Sequence, residues 1–220
     1  GIGLSVSLVA SLFVAGLHFL TDHRQSMGGI FSNLQFAGGS LVPMLWLIGA
    51  AFLLWGVRRL FGITRWHGPA DSIFGAHRLD NEIDVKAGIG STIAAFIAIG
   101  GGASVGQYGP LVHFGATIGS YIRQVFGTKM IGVDVFIGCG VAAAIAAGFH
   151  APIAGIVFAH EAVLRHFSFR ALTPIAISSI TSVWFATAIF GGDPLFALDA
   201  AATDLLRMVP ILLASGLLFG

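Results

Sequence analysis

The residues best placed to do chemistry surround an interruption between residues 100 and 110, which contains Gly100, Gly101, Gly102, Gly106, Gly109 and Pro110. Proline is common in the first turn of a helix, so this order predicts that a helix begins near Pro110. The first N–H groups of such a helix lack partners and carry partial positive charge, which makes them a binding site for an anion. A tight turn at the surface would have the same composition, and both interpretations stay open at this point.

A second irregular segment runs over residues 148–161 and ends on a carboxylate. Pro152 is placed to open a helix, and Glu161 then lies about two and a half turns into that helix. A carboxylate inside a bilayer costs about 2.5–3.5 kcal/mol on insertion scales, so it needs a partner or a polar lining. Two roles compete for Glu161: a structural, hydrogen-bonded carboxylate, which we favour, and a proton or ion site.

Two other kinds of chemistry find little support in the spacing. His166 follows His160 by six residues, whereas the zinc motif H-E-x-x-H needs a spacing of about four. Ser104 lies in a G-x-S-x-G pattern, but that motif works as a turn between a strand and a helix, and the segment before Ser104 predicts a helix. We therefore expect neither a metal site nor an enzyme.

The elements that must position these segments are predicted to be membrane helices, because the chain is 56% hydrophobic and only 10% charged, with a mean hydropathy of +0.90. A net charge of +1 argues against a nucleic-acid partner, and the single Cys139 allows no disulfide framework. Gly115 and Gly119 form a small-xxx-small pair, which predicts helix packing. Uncharged runs that match or exceed the length of about 20 residues needed to cross a bilayer cover 1–21, 25–57, 87–122, 135–160 and 171–192.

Helices are predicted at 1–20, 36–57, 87–104, 110–126, 131–148, 151–166, 171–191 and 205–220. The first lacks the basic leading region and the cleavage site of a signal peptide, so we interpret it as a membrane helix. Arg58, Arg59 and Arg65 place the 58–86 loop on the cytoplasmic side. Because the chain starts without Met and stops inside the apolar run 217–220, we expect it to be an excerpt of a longer protein.

The two interrupted segments resemble the signatures of the CLC family of chloride channels and proton-coupled anion transporters. The family pattern G-R-E-G-P-x-V-x-x-G aligns with residues 106–115, which read GQYGPLVHFG. The later pattern A-x-F-x-A-P-x-A-G-x-x-F-x-x-E aligns without gaps with residues 147–161, which read AGFHAPIAGIVFAHE. Two motifs in the right order and separation make the resemblance specific.

The resemblance implies an all-α polytopic membrane protein with broken, re-entrant helices, in which 1–220 is the N-terminal half of an inverted-repeat fold and the second half is absent from the chain. It implies a homodimer in the lipid bilayer of the cell (inner) membrane, with one pathway per subunit for chloride or another small inorganic anion and with no cofactor. The implied anion pathway comprises Gly106, Gln107, Tyr108, Gly109, Pro110 and, where the family often has a serine, Gly68. The implied structural motif comprises Ala151, Pro152, Gly155 and Glu161.

Three positions depart from the family pattern. Tyr108 stands in place of the gating glutamate, Gln107 in place of the arginine, and Ala162 in place of the proton-relay glutamate. A phenol is uncharged near pH 7, so Tyr108 is able to donate a hydrogen bond to an anion but not to imitate one. We therefore expect passive movement of the anion, as in a channel or uniporter, with Tyr108 as a neutral gate.

Two alternatives stay open. A proton-coupled exchanger would need a rewired proton route, for which His113, His150 and His160 are candidates because imidazoles titrate near neutral pH. A non-transporting membrane scaffold would keep the fold while Tyr108 seals the pathway.

Overall fold

The computed structural model describes residues 1–30, 35–36, 39–78, 83–126, 132–191, 209–210 and 213–214. The elements in chain order are α1 (Ile2–Ile30), β1 (Gln35–Phe36), β2 (Gly39–Ser40), α2 (Val42–Phe61), α3 (Pro69–His77), α4 (Val85–Gly100), α5 (Tyr108–Phe126), α6 (Val133–Phe149), α7 (Pro152–Phe158), a π-helical turn (Ala159–Leu164) and α8 (Phe169–Phe190). The strands β1 and β2 pair antiparallel over two residues each. The predicted all-α class is confirmed.

Within the described part of the chain, three helices are long and apolar enough to cross a membrane: Ile2–Arg24 of α1, together with α2 and α8. The apolar helices α4 and α6 are shorter than the length of about 20 residues that crosses the hydrocarbon core. Large apolar side chains project outward from α2, and Phe52 is 72% and Leu60 79% exposed. Such a surface suits lipid rather than water.

The helix α6 forms the centre of the fold, because every residue from 137 to 148 is buried and the helix packs against α1, α5, α7 and α8. Gly140 of α6 touches Gly115 of α5 so closely that a Cβ atom on either would overlap the other's carbonyl oxygen. A Cβ on Gly119 would overlap the carbonyl of Phe136 in the same way. The predicted packing role of Gly115 and Gly119 is confirmed.

Buried serines join α8 to the same central helix. The hydroxyl of Ser178 donates to the carbonyl of Cys139 at 2.9 Å, and that of Ser182 donates to the carbonyl of Ala143 at 2.7 Å. Ser7 of α1 donates in turn to the carbonyl of Ser182 at 2.6 Å. Hydrogen bonds of this kind hold helices together where lipid removes the hydrophobic driving force between them.

Several predicted helix boundaries are wrong. The helix α1 continues past residue 20 to Ile30, since polar side chains such as Thr21 bond back to the helix itself. The helix α2 begins at Val42 rather than at 36, with Pro43 in its first turn, where proline is favoured. It ends at Gly62, whose φ of 64° provides the left-handed C-cap that glycine adopts most readily.

The prediction of the 58–86 region as a loop missed α3, because a nine-residue helix with mixed polarity leaves no long apolar run in the sequence. The predicted helix 151–166 is α7 followed by the π-helical turn, which starts at Ala159. The predicted helix 205–220 lies almost wholly outside the described residues. The remaining predicted ends differ little, the largest shift being the end of α4 at Gly100 instead of 104.

Candidate functional site

The glycine-rich interruption separates α4 from α5 and turns the chain through backbone conformations that suit glycine. Gly102 has a φ of 103° and Gly106 a φ of 73°, both in the left-handed range where side chains are disfavoured. The guanidinium of Arg24, from α1, occupies the place that a Cβ of Gly102 would take. Sequence pattern does not predict that Arg24 lies at this turn, because Arg24 and Gly102 are far apart in the chain.

The helix α5 starts at Tyr108, two residues before the predicted start, and Pro110 lies in its first turn. The amides of Tyr108 and Gly109 precede the first hydrogen bond of the helical ladder, and no hydrogen bond from the described part of the chain caps them. Gly106 and Gln107 lead directly into the first turn of α5, which contains Tyr108, Gly109 and Pro110. Its free N–H groups supply the partial positive charge that attracts an anion.

The phenol of Tyr108 is held in place by α6. Its ring stacks on Phe149, with ring centroids 3.8 Å apart and planes 22° apart. Gly148 leaves room for this ring, since a Cβ there would lie 3.2 Å from it. The side chain is half-buried beside Leu111 and Ala147, so Tyr108 has a fixed position at the start of α5.

The N-terminus of α3 meets that of α5. A Cβ on Gly109 would lie 3.4 Å from Cγ of Pro69, the first residue of α3. Gly68, which we assigned to the pathway, is the extended N-cap residue of α3, with a φ of −152°. The structure thus brings Gly68 close to the first turn of α5, although the two segments are about 40 residues apart in the sequence.

A carboxylate of α3 itself occupies part of this helix end. Asp71 accepts a hydrogen bond from the N–H of Gly68 at 2.8 Å and forms an ion pair with Arg65. Burial alone would raise the pKa of Asp71, but the bond from Gly68 and the hydrogen bond and charge of Arg65 lower it below its usual value. Sequence analysis missed this capping role, for which Pro69 followed by Asp71 was the available signal.

A buried histidine lies one turn further into the same junction. Nδ1 of His113, on α5, is 2.8 Å from Oγ of Ser72, on α3. The ring of His67 meets that of His113 edge-on, with ring centroids 5.8 Å apart. The backbone N–H of His67 donates to Oγ of Ser91 at 2.9 Å. Ser72 and Ser91 are site residues that sequence reasoning did not single out.

A cavity of about 550 Å³ opens beside the start of α5, between α1, α6 and α8. The polar residues of its lining are Ser11, His18, Gln107 and His150. Both ring nitrogens of His150 are buried without a hydrogen-bond partner among the described residues. This cavity adjoins the start of α5 through Gln107.

The second motif forms a short helix pinned to the core. Ala151 is the N-cap residue of α7, and Pro152 is in its first turn. A Cβ on Gly155 would lie only 2.5 Å from the carbonyl oxygen of Ala142 in α6. The hydroxyl of Ser179 donates to the carbonyl of Pro152 at 2.7 Å. These contacts explain why the motif has proline and glycine at these positions.

Glu161 and Ala162 lie in the π-helical turn, away from the α5 N-terminus. They line a cavity of about 610 Å³ together with Ile73, Phe158 and Arg165. The Glu161 side chain is exposed, and no hydrogen bond to its carboxylate occurs within the described ranges. Its structural role stays a prediction. A π-helical turn often marks a functional position. Sequence analysis did not predict this turn.

The residues considered for other chemistry do not assemble. In the described ranges, no three side chains of His, Cys, Asp or Glu come together as a metal site would require. Ser104 is exposed in the turn after the helix α4. A nucleophile elbow needs a strand before the serine, whereas here a helix precedes it.

Helices interrupted in apolar surroundings, with two N-termini that meet at one point, are typical of the class of polytopic membrane channels and transporters. The family model described as "Voltage gated chloride channel" matches residues 49–220. The chain therefore belongs to the voltage-gated chloride channel (CLC) family, as its motifs predicted. Members of this family are channels or transporters rather than enzymes.

Two bacterial relatives illustrate the match. The "Voltage-gated ClC-type chloride channel ClcB" of Citrobacter koseri is 26% identical over 225 residues, which cover 98% of this chain and 53% of that protein. The protein of the same description in Escherichia coli O81 (strain ED1a) is 27% identical with the same coverage. The chain spans about half the length of the curated relatives that it matches.

A solved structure shows the same fold. The "X-ray crystal structure of a slow cyanobacterial Cl-/H+ antiporter" superposes with a TM-score of 0.70 and 20% sequence identity, covering 96% of this chain and 51% of that chain. This likeness and the apolar helices support the predicted multi-pass membrane fold with interrupted helices.

Proposed function

We propose that the protein containing this chain moves chloride or another small inorganic anion passively across a lipid bilayer, as a channel or uniporter. The observation that carries the proposal is the junction of α3 and α5. There the uncapped amides of Tyr108 and Gly109 lie beside Pro69, where a helix N-terminus favours an anion. Gly106, Gln107 and Pro110 shape the same turn, and Gly68 lies at the facing helix end.

Passive movement follows from the two positions at which the family has glutamates. Tyr108 is stacked on Phe149, and its neutral phenol does not compete with the anion as a carboxylate would. Ala162, in the cavity beside Glu161, carries no proton. With no carboxylate at either position, the anion has no proton partner there, and Tyr108 acts as a neutral gate.

The same proposal includes the assembly. The protein works as a homodimer in the cell (inner) membrane, with one pathway in each subunit, and requires no cofactor. The support is the membership of the family and the bacterial origin of the relatives. Ala151, Pro152 and Gly155 hold α7 against the core, and Glu161 has a structural role in the π-helical turn that follows.

The test is chloride efflux from liposomes containing the full-length protein, recorded together with external pH. We expect efflux that needs an ionophore to dissipate charge and that moves no protons. Tyr108→Glu introduces a carboxylate at the uncapped amides, and we expect it to lower efflux at pH 7 and to restore it in acid. The matched control is Tyr121→Glu, because Tyr121 is exposed near the other end of α5.

Two results would contradict the proposal. Unchanged efflux and an unchanged pH profile in Tyr108→Glu would remove Tyr108 from the gate. Proton movement driven by the chloride gradient in the unmodified protein would instead establish a proton-coupled exchanger, and silence in both recordings would establish a scaffold sealed by Tyr108.

A further inference from the structure

The imidazole of His113 lies directly inside the junction of the two helix N-termini. Gly109 and His113 are four residues apart on α5, and Pro69 and Ser72 are three apart on α3, so each pair shares a helix face. Gly109 lies beside Pro69 at the end of the junction, where an added Cβ would be 3.4 Å from Cγ of Pro69, and His113 bonds to Ser72 one turn further in. His113 is 1% exposed.

The hydrogen bonds of His113 leave one ring nitrogen unused. Oγ of Ser72 is 2.8 Å from Nδ1, while Nε2 is buried without any partner in the described part of the chain. If the hydroxyl donates to Nδ1, then Nε2 is an unsatisfied N–H donor; if Nδ1 donates, then Nε2 is an unsatisfied base. A buried polar atom without a partner is rare enough to call for an explanation.

The charged groups around the ring are few. Within the described residues, those in electrostatic contact with His113 are Asp71 of α3 and His67 of the segment that precedes α3. Asp71 is itself paired with Arg65, so its charge is partly neutralised. The other helices packed against α5, namely α1, α4 and α6, add no charge in contact with the ring.

We propose that His113 binds a proton together with the transported anion, so that acid strengthens anion binding at the junction of α3 and α5. This inference rests on the proposed anion pathway. A protonated imidazole buried away from water is costly unless a negative charge lies near it. An anion at the free amides supplies that charge, and the protonated ring then offers Nε2–H as a donor towards it.

Thermodynamic linkage makes the coupling between proton binding and anion binding reciprocal. If a bound anion favours protonation of His113, then protonation increases the affinity for the anion by the same factor. The half-buried ring of His67 meets His113 edge-on. The pathway thereby senses pH without the glutamate that Tyr108 replaces.

The experiment measures chloride binding to the purified full-length protein by calorimetry between pH 5 and pH 8. We expect the affinity of the unmodified protein to rise on acidification by a factor of about 5 to 150, the usual range for coupled sites. His113→Gln keeps an amide donor in the buried space but takes up no proton, so its affinity should not change with pH. His77→Gln, at the exposed far end of α3, should behave as the unmodified protein does.

A second variant tests the proposal independently, in case the His113→Gln protein does not fold. Ser72→Ala removes the partner of Nδ1, and we expect it to shift the pH midpoint of chloride binding while keeping the overall change. Proton uptake on addition of chloride, measured in weak buffer, should shift with it. An unmoved midpoint would overturn the proposal.

The possible failures are distinct. Chloride binding that does not vary with pH in the unmodified protein, or varies equally in His113→Gln, overturns the role of His113 and leaves the pathway standing. Absence of chloride binding at every pH overturns the pathway and this inference together.

Discussion

The first turn of α5 and its middle lie within one helix but in opposite physical surroundings. In the middle, Gly115 and Gly119 pack closely against the backbone of α6. The backbone carbonyls in this region accept hydrogen bonds within their own helices. In the first turn, the amides of Tyr108 and Gly109 are uncapped, and one turn further in Nε2 of His113 has no partner in the described chain. The close-packed middle holds the helix rigid, and this rigidity fixes unsatisfied polar groups where a ligand is able to use them.

The largest predicted effect comes from breaking the packed middle. Gly140→Ala places a methyl group against the carbonyl oxygen of Gly115, and both partners are backbone atoms that cannot rotate away. Overpacking of this kind costs about 1–3 kcal/mol or more. Thermal unfolding of the full-length protein in detergent should show a lower midpoint.

Gly56→Ala is the matched control, because a Cβ on Gly56 meets no atom within 4 Å. In a helix interior, alanine is favoured over glycine by about 1 kcal/mol, so this variant should be as stable as the original or more so. Equal destabilisation by both changes would show that Gly140 is not at a critical contact.

A smaller effect is expected at the polar junction. Asp71→Asn weakens the cap of α3 and removes the ion pair with Arg65, which should cost about 1 kcal/mol, as loss of a helix cap does. Because the pKa of Asp71 is lowered from 3.8, its stabilisation is complete above the pKa of the unfolded chain. That stabilisation is lost as pH falls through the folded value.

The measurement is the unfolding midpoint of both proteins as a function of pH. The difference between them should be constant from about pH 5 to pH 7 and should shrink below about pH 4. A difference that grows in acid would have the wrong sign and would refute the assigned contacts of Asp71.

The smallest effect is expected from removing one hydrogen bond in the packed region around α6. Ser182→Ala deletes the bond to the carbonyl of Ala143, and interhelical bonds in membranes contribute about 0.6 kcal/mol on average. Thr181→Ala is the control, since Thr181 bonds only to carbonyls of its own helix. The unfolding midpoint should fall for Ser182→Ala alone, and equal midpoints would assign this bond no net value.

The broad architecture could be predicted from the sequence because its determinants are local. Apolar runs revealed the long helices, and Pro110 and Pro152 marked the starts of α5 and α7 to within two residues. The small-residue pair at Gly115 and Gly119 predicted a close contact between helices. In each case the signal lies within a few residues of the element that it specifies.

The junction could be predicted only in part, because it depends on contacts between distant segments. Gly68 and Tyr108 were assigned to one pathway through a family resemblance, whereas the pairing of Ser72 with His113 joins positions 41 residues apart. The helix α3 itself was missed, since nine residues of mixed polarity give no clear periodicity. Such side-chain pairings are decided by packing and not by sequence pattern.

The stack of Tyr108 on Phe149 also makes the position of the proposed gate, Tyr108, measurable by NMR. The sequence contains two tyrosines, Tyr108 and Tyr121, and among the described residues only Tyr108 has an aromatic ring 3.8 Å from its own. A nucleus on the Tyr108 ring therefore experiences the ring current of Phe149, while one on Tyr121 does not. Fluorotyrosine substituted at these two positions would give separate resonances, and movement of the Tyr108 ring would be visible as a change in the frequency of one of them.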